Sequence, residues 1–197
     1  MDLPIYLLDI NEDEDAETEV NFIALVDRPA IKLNWQKFNE AAGSFAADSE
    51  KQIISGALMV ADMPIYRKDK EFGEYYAVFN AATIEKIAIK YYQKGFQSNV
   101  NLMHDGEMIV EGATMFESWI VNRELGKMPM KGFEDVADGS WFGSFKVNNP
   151  AVWGMVKDGL LQGFSVEGLF QYRPKKEVMS EEQILSKIQG LLSELSI

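Results

Sequence analysis

Cysteine is absent from this sequence of 197 residues, and histidine occurs only once, as His104. The first absence excludes disulfide bonds, thiolate metal sites and a cysteine nucleophile. The second excludes any metal site built from several histidines. Acid-base chemistry that relies on an imidazole must therefore use His104.

Basic residues are also scarce, with 19 Lys and Arg against 31 Asp and Glu and a net charge of −12. Binding to a phosphate backbone has no general electrostatic support at this charge, so we expect no nucleic-acid partner. No apolar run approaches the ~20 residues that a membrane-spanning helix needs. The start of the chain, Met1-Asp2-Leu3-Pro4, lacks the basic region of a signal peptide. These patterns predict a soluble, cytoplasmic protein with no membrane partner.

What the sequence does contain is ample material for a packed core, since 47% of its residues are hydrophobic and 12% aromatic. The length favours one core domain with appended arms. We divide the chain into an N-terminal strand with an acidic and flexible arm (1–50), a core domain (51–173) and a C-terminal helical arm (174–197). The acidic run at 9–19 is interpreted as a solvated loop, with a metal site or a docking tail as alternatives.

Apolar patterns along the chain predict strands separated by two helices, each with a capping residue at its start and a glycine at its end. The first helix is capped by Asn80 and stopped by Gly95, and the second starts at Asn149-Pro150 and ends at Gly159. A capping box at 180–183 opens an amphipathic C-terminal helix. The predicted strands are 22–26, 53–60, 75–79, 99–103, 113–121, 141–147 and 163–170.

Two residues stand out as candidates for chemistry, His104 and Ser165. His104 lies where a predicted strand meets a turn, and a neutral imidazole is the usual general base for a serine, although a lone histidine is more often structural. Ser165 lies between Gly163 and Gly168, which would let a substrate backbone approach closely. Because Glu167 replaces the last glycine of a Gly-x-Ser-x-Gly elbow, the α/β-hydrolase fold is disfavoured.

A third member of the site, one that orients the imidazole, could be either of two acids. Glu117 lies among large apolar residues, where a carboxylate is costly to bury without a partner. It is therefore either on the exposed face of its strand or paired functionally, and we prefer it narrowly as the third member. Glu167 faces the same way as Ser165 but is close to it in sequence. The acids near His104 lack the spacing of a calcium loop, and no His-Glu-x-x-His is present. We therefore predict neither a metal nor a cofactor.

Several short segments, in their order and spacing, resemble the XkdF-like phage serine proteases. This family is related to the prohead proteases and is distantly similar to the herpesvirus assemblins. The likeness runs from about Phe22 to Phe170. The segments that carry it are 22–30, 56–67, 99–105, 117–121, 139–142, 152–153, 157–159 and 163–168.

The resemblance implies an α+β fold with a mostly antiparallel, β-barrel-like core flanked by helices and followed by the C-terminal amphipathic helix. It implies that Ser165 attacks, that His104 shuttles the proton, and that Glu117 or Glu167 holds the imidazolium. Amides near Ser165, or Arg173, would supply the oxyanion donors. Assemblins use a second histidine as the third member, which this chain lacks, so an acid replaces it or a dyad suffices.

The resemblance also implies an endopeptidase that acts inside the phage procapsid in the bacterial host cytoplasm, with retention in the virion left open. Its substrates would be the scaffold protein, the major capsid protein or both, and homo-oligomers are an open alternative to a monomer. The rival interpretation is a head or assembly protein that kept the protease fold and lost turnover. The C-terminal helix would tether the enzyme to the scaffold or shell, or pack on its own core.

Overall fold

Strands dominate the part of the chain that the computed structural model describes, which comprises residues 3–11, 13, 17–27, 45–48 and 51–174. Two helices interrupt the strands, α1 (Ala81–Gln93) and α2 (Pro150–Lys157). The strands are β1 (Ile5–Asp9), β2 (Val20–Val26), β3 (Phe45–Asp48), β4 (Ile53–Met59), β5 (Ile65–Asp69), β6 (Gly73–Val78), β7 (Val100–Leu102), β8 (Asp105–Ile109), β9 (Ala113–Ile120), β10 (Trp141–Val147), β11 (Gly163–Gly168) and β12 (Gln171–Pro174).

The described strands form three four-stranded sheets. The first sheet has the order β12-β1-β6-β5, the second β3-β4-β10-β9 and the third β11-β2-β7-β8. The pairings of β1 with β6 and of β2 with β7 are parallel, and the remaining pairings among these strands are antiparallel.

This architecture confirms the predicted α+β class and its largely antiparallel character. The barrel is not confirmed, because each of the three sheets in the described residues ends in two edge strands, whereas a barrel has no edges. The predicted C-terminal helix lies outside the described residues. The predicted domain division stays a prediction, and β1 and β2, from the predicted N-terminal arm, pair with strands of the predicted core.

Both predicted helices are confirmed, together with the residues that begin and end them. Asn80 Oδ1 accepts a hydrogen bond of 2.8 Å from the Thr83 amide, which satisfies one of the free donors of the first turn of α1. Asn149 caps α2 in the same way, with Pro150 at the first helical position. None of the described helices is long and apolar enough to span a bilayer.

The main core takes side chains from all three sheets and both helices, and part of it joins the second sheet to the third. Phe145 of β10 packs on Phe164 of β11, with ring centroids 5.0 Å apart, and both side chains are fully buried. Burial of each such side chain contributes about 1.5–3 kcal/mol. A Cβ added at Gly143 of β10 would lie 2.9 Å from Leu58 Cδ1 and from Met115 Sδ, so a larger residue there would displace the ends of these two side chains. This packing anchors β11, the strand that carries Ser165.

Candidate active site

One face of the third sheet carries three of the four residues predicted to act in catalysis. Ser165 of β11 lies opposite Ala24 of β2, and Ala24 lies opposite Asn101 of β7, so these three side chains share a face. Ala24 contributes only a methyl group between the two polar residues. Because side chains alternate along a strand, Glu167 projects from the same face as Ser165, whereas Phe164 enters the core.

His104 reaches this face from a tight turn at the end of β7. Leu102 pairs with Asp105, which leaves Met103 and His104 as a two-residue hairpin connection. Their φ angles are 53° and 62°, so both lie in the left-handed region, as a type I′ turn requires. That region normally favours Asn or Gly, and two larger residues there store backbone strain. The Met103 amide donates to Leu25 O at 3.0 Å and ties the turn to β2.

The imidazole and a carboxylate meet above the sheet. His104 Nδ1 lies 3.3 Å from Glu167 Oε2, and the same oxygen accepts a hydrogen bond of 2.9 Å from Asn101 Nδ2. The side chains of His104 and Glu167 are 42% and 36% exposed. An ionised carboxylate only accepts hydrogen bonds, so it favours the tautomer in which Nδ1 carries the proton. In a neutral imidazole, Nε2 is then free to act as a base.

Ser165 is buried, with 7% of its surface exposed. Within the described residues its hydroxyl makes no hydrogen bond, so the bond from Ser165 to His104 is not formed in this structure. Contacts of this kind are often long or misaligned without substrate and tighten in the complex. The structure therefore places the serine, the imidazole and the carboxylate on one face, and joins only the last two.

Glu117 lies on the second sheet, with different neighbours. Its Oε2 accepts a hydrogen bond of 2.8 Å from Ser144 Oγ, and Ser144 Oγ in turn accepts one of 2.8 Å from Ser55 Oγ. A register shift where β9 pairs with β10 leaves Phe116 as an extra residue and turns Glu117 toward the face that Ser144 occupies. The structure thus brings Glu167, the less preferred of the two predicted acids, to His104.

Other residues named from the sequence are also placed. Arg173 lies on β12, where its Nη2 is 3.4 Å from Asp9 Oδ2, so it is engaged in the first sheet. Among the described strands, β11 lies at the edge of its sheet, so alternate amides along it point away from β2. No group of three or more acidic or histidine side chains in the described residues has the arrangement of a metal site.

Sequence reasoning missed Asn101 as a member of this cluster. It appears in the sequence as one polar residue between Val100 and Leu102, and its side chain is fully buried. A buried polar residue inside a short apolar strand is a signal for a paired side chain. Its partner depends on the parallel pairing of β2 with β7, which no local pattern reveals.

A serine, a histidine and a carboxylate on one face form the residue set of a serine hydrolase. Residues 44–172 match the family model described as "Putative phage serine protease XkdF". The chain belongs to this family, and the resemblance noted from its motifs is confirmed. The match includes His104, Glu117, Ser165 and Glu167. Neither a curated protein nor a solved structure matches the chain.

Proposed function

We propose that this protein is a serine endopeptidase of the phage procapsid, in which Ser165 is the nucleophile, His104 the general base and Glu167 the acid that orients the imidazole. The observation that carries the proposal is the 3.3 Å approach of Glu167 Oε2 to Nδ1 of the chain's one histidine. This acid lies two positions from Ser165 on the same strand and the same face.

The chemistry follows from the roles of these atoms. The Ser165 hydroxyl attacks the scissile carbonyl while Nε2 of His104 takes its proton, and Glu167 stabilises the imidazolium through Nδ1–H. Outward-facing amides of the edge strand β11 are suited to bind the oxyanion. The imidazolium then protonates the leaving amine as the peptide bond breaks. Water, deprotonated by His104, releases the acyl group and restores the serine.

The substrates and the place of action are inferred from the family. The scaffold protein, the major capsid protein or both are the proposed substrates, cleaved inside the procapsid in the bacterial host cytoplasm. The family description names a phage serine protease, which supports this setting at the level of class.

A second candidate is a catalytically inactive assembly protein with the protease fold. Two observations favour it: the Ser165 hydroxyl makes no hydrogen bond within the described residues, and its side chain is buried. A serine that is never activated has no need of a base within reach. The two candidates predict opposite outcomes for the same substitution.

The test is co-expression with the scaffold and major capsid proteins of the same phage, followed by intact-mass spectrometry. Wild type and Ser144→Ala should yield the same fragments, and Ser165→Ala should yield none. Ser144 is a matched control because it is also a buried serine on a strand, but on the second sheet. It is 3% exposed, compared with 7% for Ser165. Full-length proteins in every case, with procapsids still forming, would favour the inactive relative.

A substrate-independent measurement uses a fluorophosphonate probe. Attack by Ser165 would displace fluoride and leave one phosphonyl group on the serine oxygen, and the hydroxyl proton would pass to His104. We expect one adduct on the wild type, mapped to Ser165, and none on Ser165→Ala. An unlabelled wild type would contradict an activated serine.

A further inference from the structure

The side-chain amide of Asn101 makes a hydrogen bond through its nitrogen and none through its oxygen within the described residues. Nδ2 donates the 2.9 Å hydrogen bond to Glu167 Oε2. Oδ1 is buried and has no hydrogen-bond partner within the described part of the chain. The side chain is fully buried on the central strand β7, so it has little freedom to move.

The orientation of this amide is set by the carboxylate. If the amide were flipped, Oδ1 would face Glu167 Oε2, and two acceptors would repel each other. The observed orientation satisfies Glu167 and leaves Oδ1 unpaired, which costs free energy for a buried acceptor. A purely structural asparagine would normally have both ends satisfied. The carboxylate contact is thus maintained at the expense of the other end of the amide.

We infer that Asn101 is a positioning residue, which holds the Glu167 carboxylate where it can receive the Nδ1 proton of His104. The inference rests on the proposed function. Glu167 has three rotatable bonds and is 36% exposed, so without an anchor its carboxylate would turn toward solvent. Asn101 supplies that anchor from a rigid strand and thereby keeps Nε2 of His104 unprotonated and available to Ser165.

Because His104 is the chain's one histidine, its two ring nitrogens can be read directly by ¹⁵N NMR without assignment. In the wild type, at a pH where the ring is neutral, we expect a protonated Nδ1 and an unprotonated Nε2. In Asn101→Leu, which removes the anchor, we expect the two tautomers to mix. Asn101→Asp is nearly isosteric and offers no donor when it is ionised, so at a pH where both carboxyl groups are ionised it should shift the nitrogens in the same direction.

Asn99→Leu is the matched control. Asn99 precedes β7, and its Nδ2 also donates a hydrogen bond, of 3.0 Å, but to Asn21 O rather than to the carboxylate. This variant loses a comparable contact from a neighbouring position, so it should leave the nitrogen signals of His104 unchanged. It separates an effect on the site from an effect on the fold.

Reactivity provides the second measurement. Labelling by the fluorophosphonate probe should slow by about 10- to 100-fold in Asn101→Leu, because a misplaced base lowers the nucleophilicity of Ser165. The labelling rate of Asn99→Leu should match that of the wild type. Asn101→Leu and Asn101→Asp that keep the nitrogen signals and labelling rate of the wild type would overturn the inference.

Two further outcomes are decisive. If the wild type is never labelled but Asn101→Leu still changes the tautomer, the positioning role stands and the protease proposal fails. If both Asn101 variants lose their fold by circular dichroism while Asn99→Leu keeps it, the residue is structural and the inference fails.

Discussion

Two carboxylates, on two sheets of one molecule, are bound by the same kind of contact and differ in what lies beyond it. Glu167 accepts a hydrogen bond from the buried Asn101, and Glu117 accepts one from the buried Ser144. Beside Glu167 is the imidazole of His104, whereas the hydrogen bonds from Glu117 lead to Ser144 and then to Ser55. A carboxylate held by a buried polar side chain is therefore not enough to identify a catalytic acid.

What separates the two regions is a single turn. The β7–β8 connection places His104 over the third sheet, at the cost of two non-glycine residues with positive φ. Strain of this kind persists where the surrounding structure enforces it, which occurs often at functional sites. In the second sheet, strand pairing with one extra residue at Phe116 places Ser55, Ser144 and Glu117 in one row, and none of the residues of these three strands has a positive φ.

Exchanging each carboxylate for an amide tests the comparison most severely. Glu167→Gln should lower cleavage or probe labelling by about 10³- to 10⁴-fold, because an amide can leave the imidazole in the wrong tautomer. Glu117→Gln should leave both rates within about twofold of the wild type, since no catalytic step in the proposal uses Glu117. The rates of cleavage or probe labelling, measured at one pH on the folded variants, test which carboxylate is the catalytic acid. If instead Glu117→Gln loses activity and Glu167→Gln keeps it, the assignment of the acid is wrong.

Much of this contrast could be predicted from the sequence, but the choice of the acid that contacts His104 could not. Period-two alternation places Ser165 and Glu167 on one face, and the turn position of His104 was visible in the chain. The choice between the acids depends on the bulge at Phe116 and on the long-range pairing of Ala24 with Asn101. Neither is encoded in a local pattern, so apolar neighbours made Glu117 look like the better partner.

A buried polar cluster around Lys90, which does not include His104, sharpens the comparison, since we expect it to affect stability alone. Lys90 of α1 is 3% exposed, and its Nζ donates to the carbonyl oxygens of Asn11 at 3.1 Å and Asp13 at 2.9 Å, with Glu19 Oε2 at 3.8 Å. It thus draws part of the acidic segment, interpreted as a solvated loop, onto the helix. Lys90→Met should lower the free energy of unfolding by about 3 kcal/mol, because it leaves these acceptors and the carboxylate without the buried cation.

Urea unfolding monitored by tryptophan fluorescence measures this loss, and probe labelling of the folded variant should stay at the wild-type rate. A labelling rate that falls together with stability would mean that the two regions are coupled.

The serine in the second sheet should have a smaller and purely structural effect. Ser144→Ala removes the donor to Glu117 and the acceptor of Ser55, at a site that is 3% exposed. We expect a loss of about 1 kcal/mol in the free energy of unfolding, the usual contribution of such a hydrogen bond. The same urea titration checks it. A large loss of cleavage in this variant would show that the Glu117 row contributes to function.

Relief of the strained turn should change stability in the opposite direction. Met103→Asn places a residue that tolerates positive φ at a position where φ is 53°, and should stabilise the protein by about 0.5–1 kcal/mol. The side chain of Met103 is exposed, so little packing is lost. Thermal unfolding measures the gain. Unchanged or lower stability would mean that the turn is not strained as its backbone angles indicate.

The smallest effect concerns pH and the loop between β9 and β10, which borders the second sheet. The amide of Arg123, followed by its guanidinium, donates to Asp138 and lowers the pKa of that carboxyl from its ordinary value. A lowered folded-state pKa stabilises the protein above the unfolded-state value, about 3.9 for Asp, and this contribution is lost as the pH falls through the folded-state pKa. Because Asp138 is exposed, the contribution is small and screened by salt. Asp138→Asn should therefore lower stability slightly at pH 7 and by less at pH 2.5, as measured by urea unfolding at the two values. An equal loss at both would assign the contribution to packing of the loop rather than to the charge.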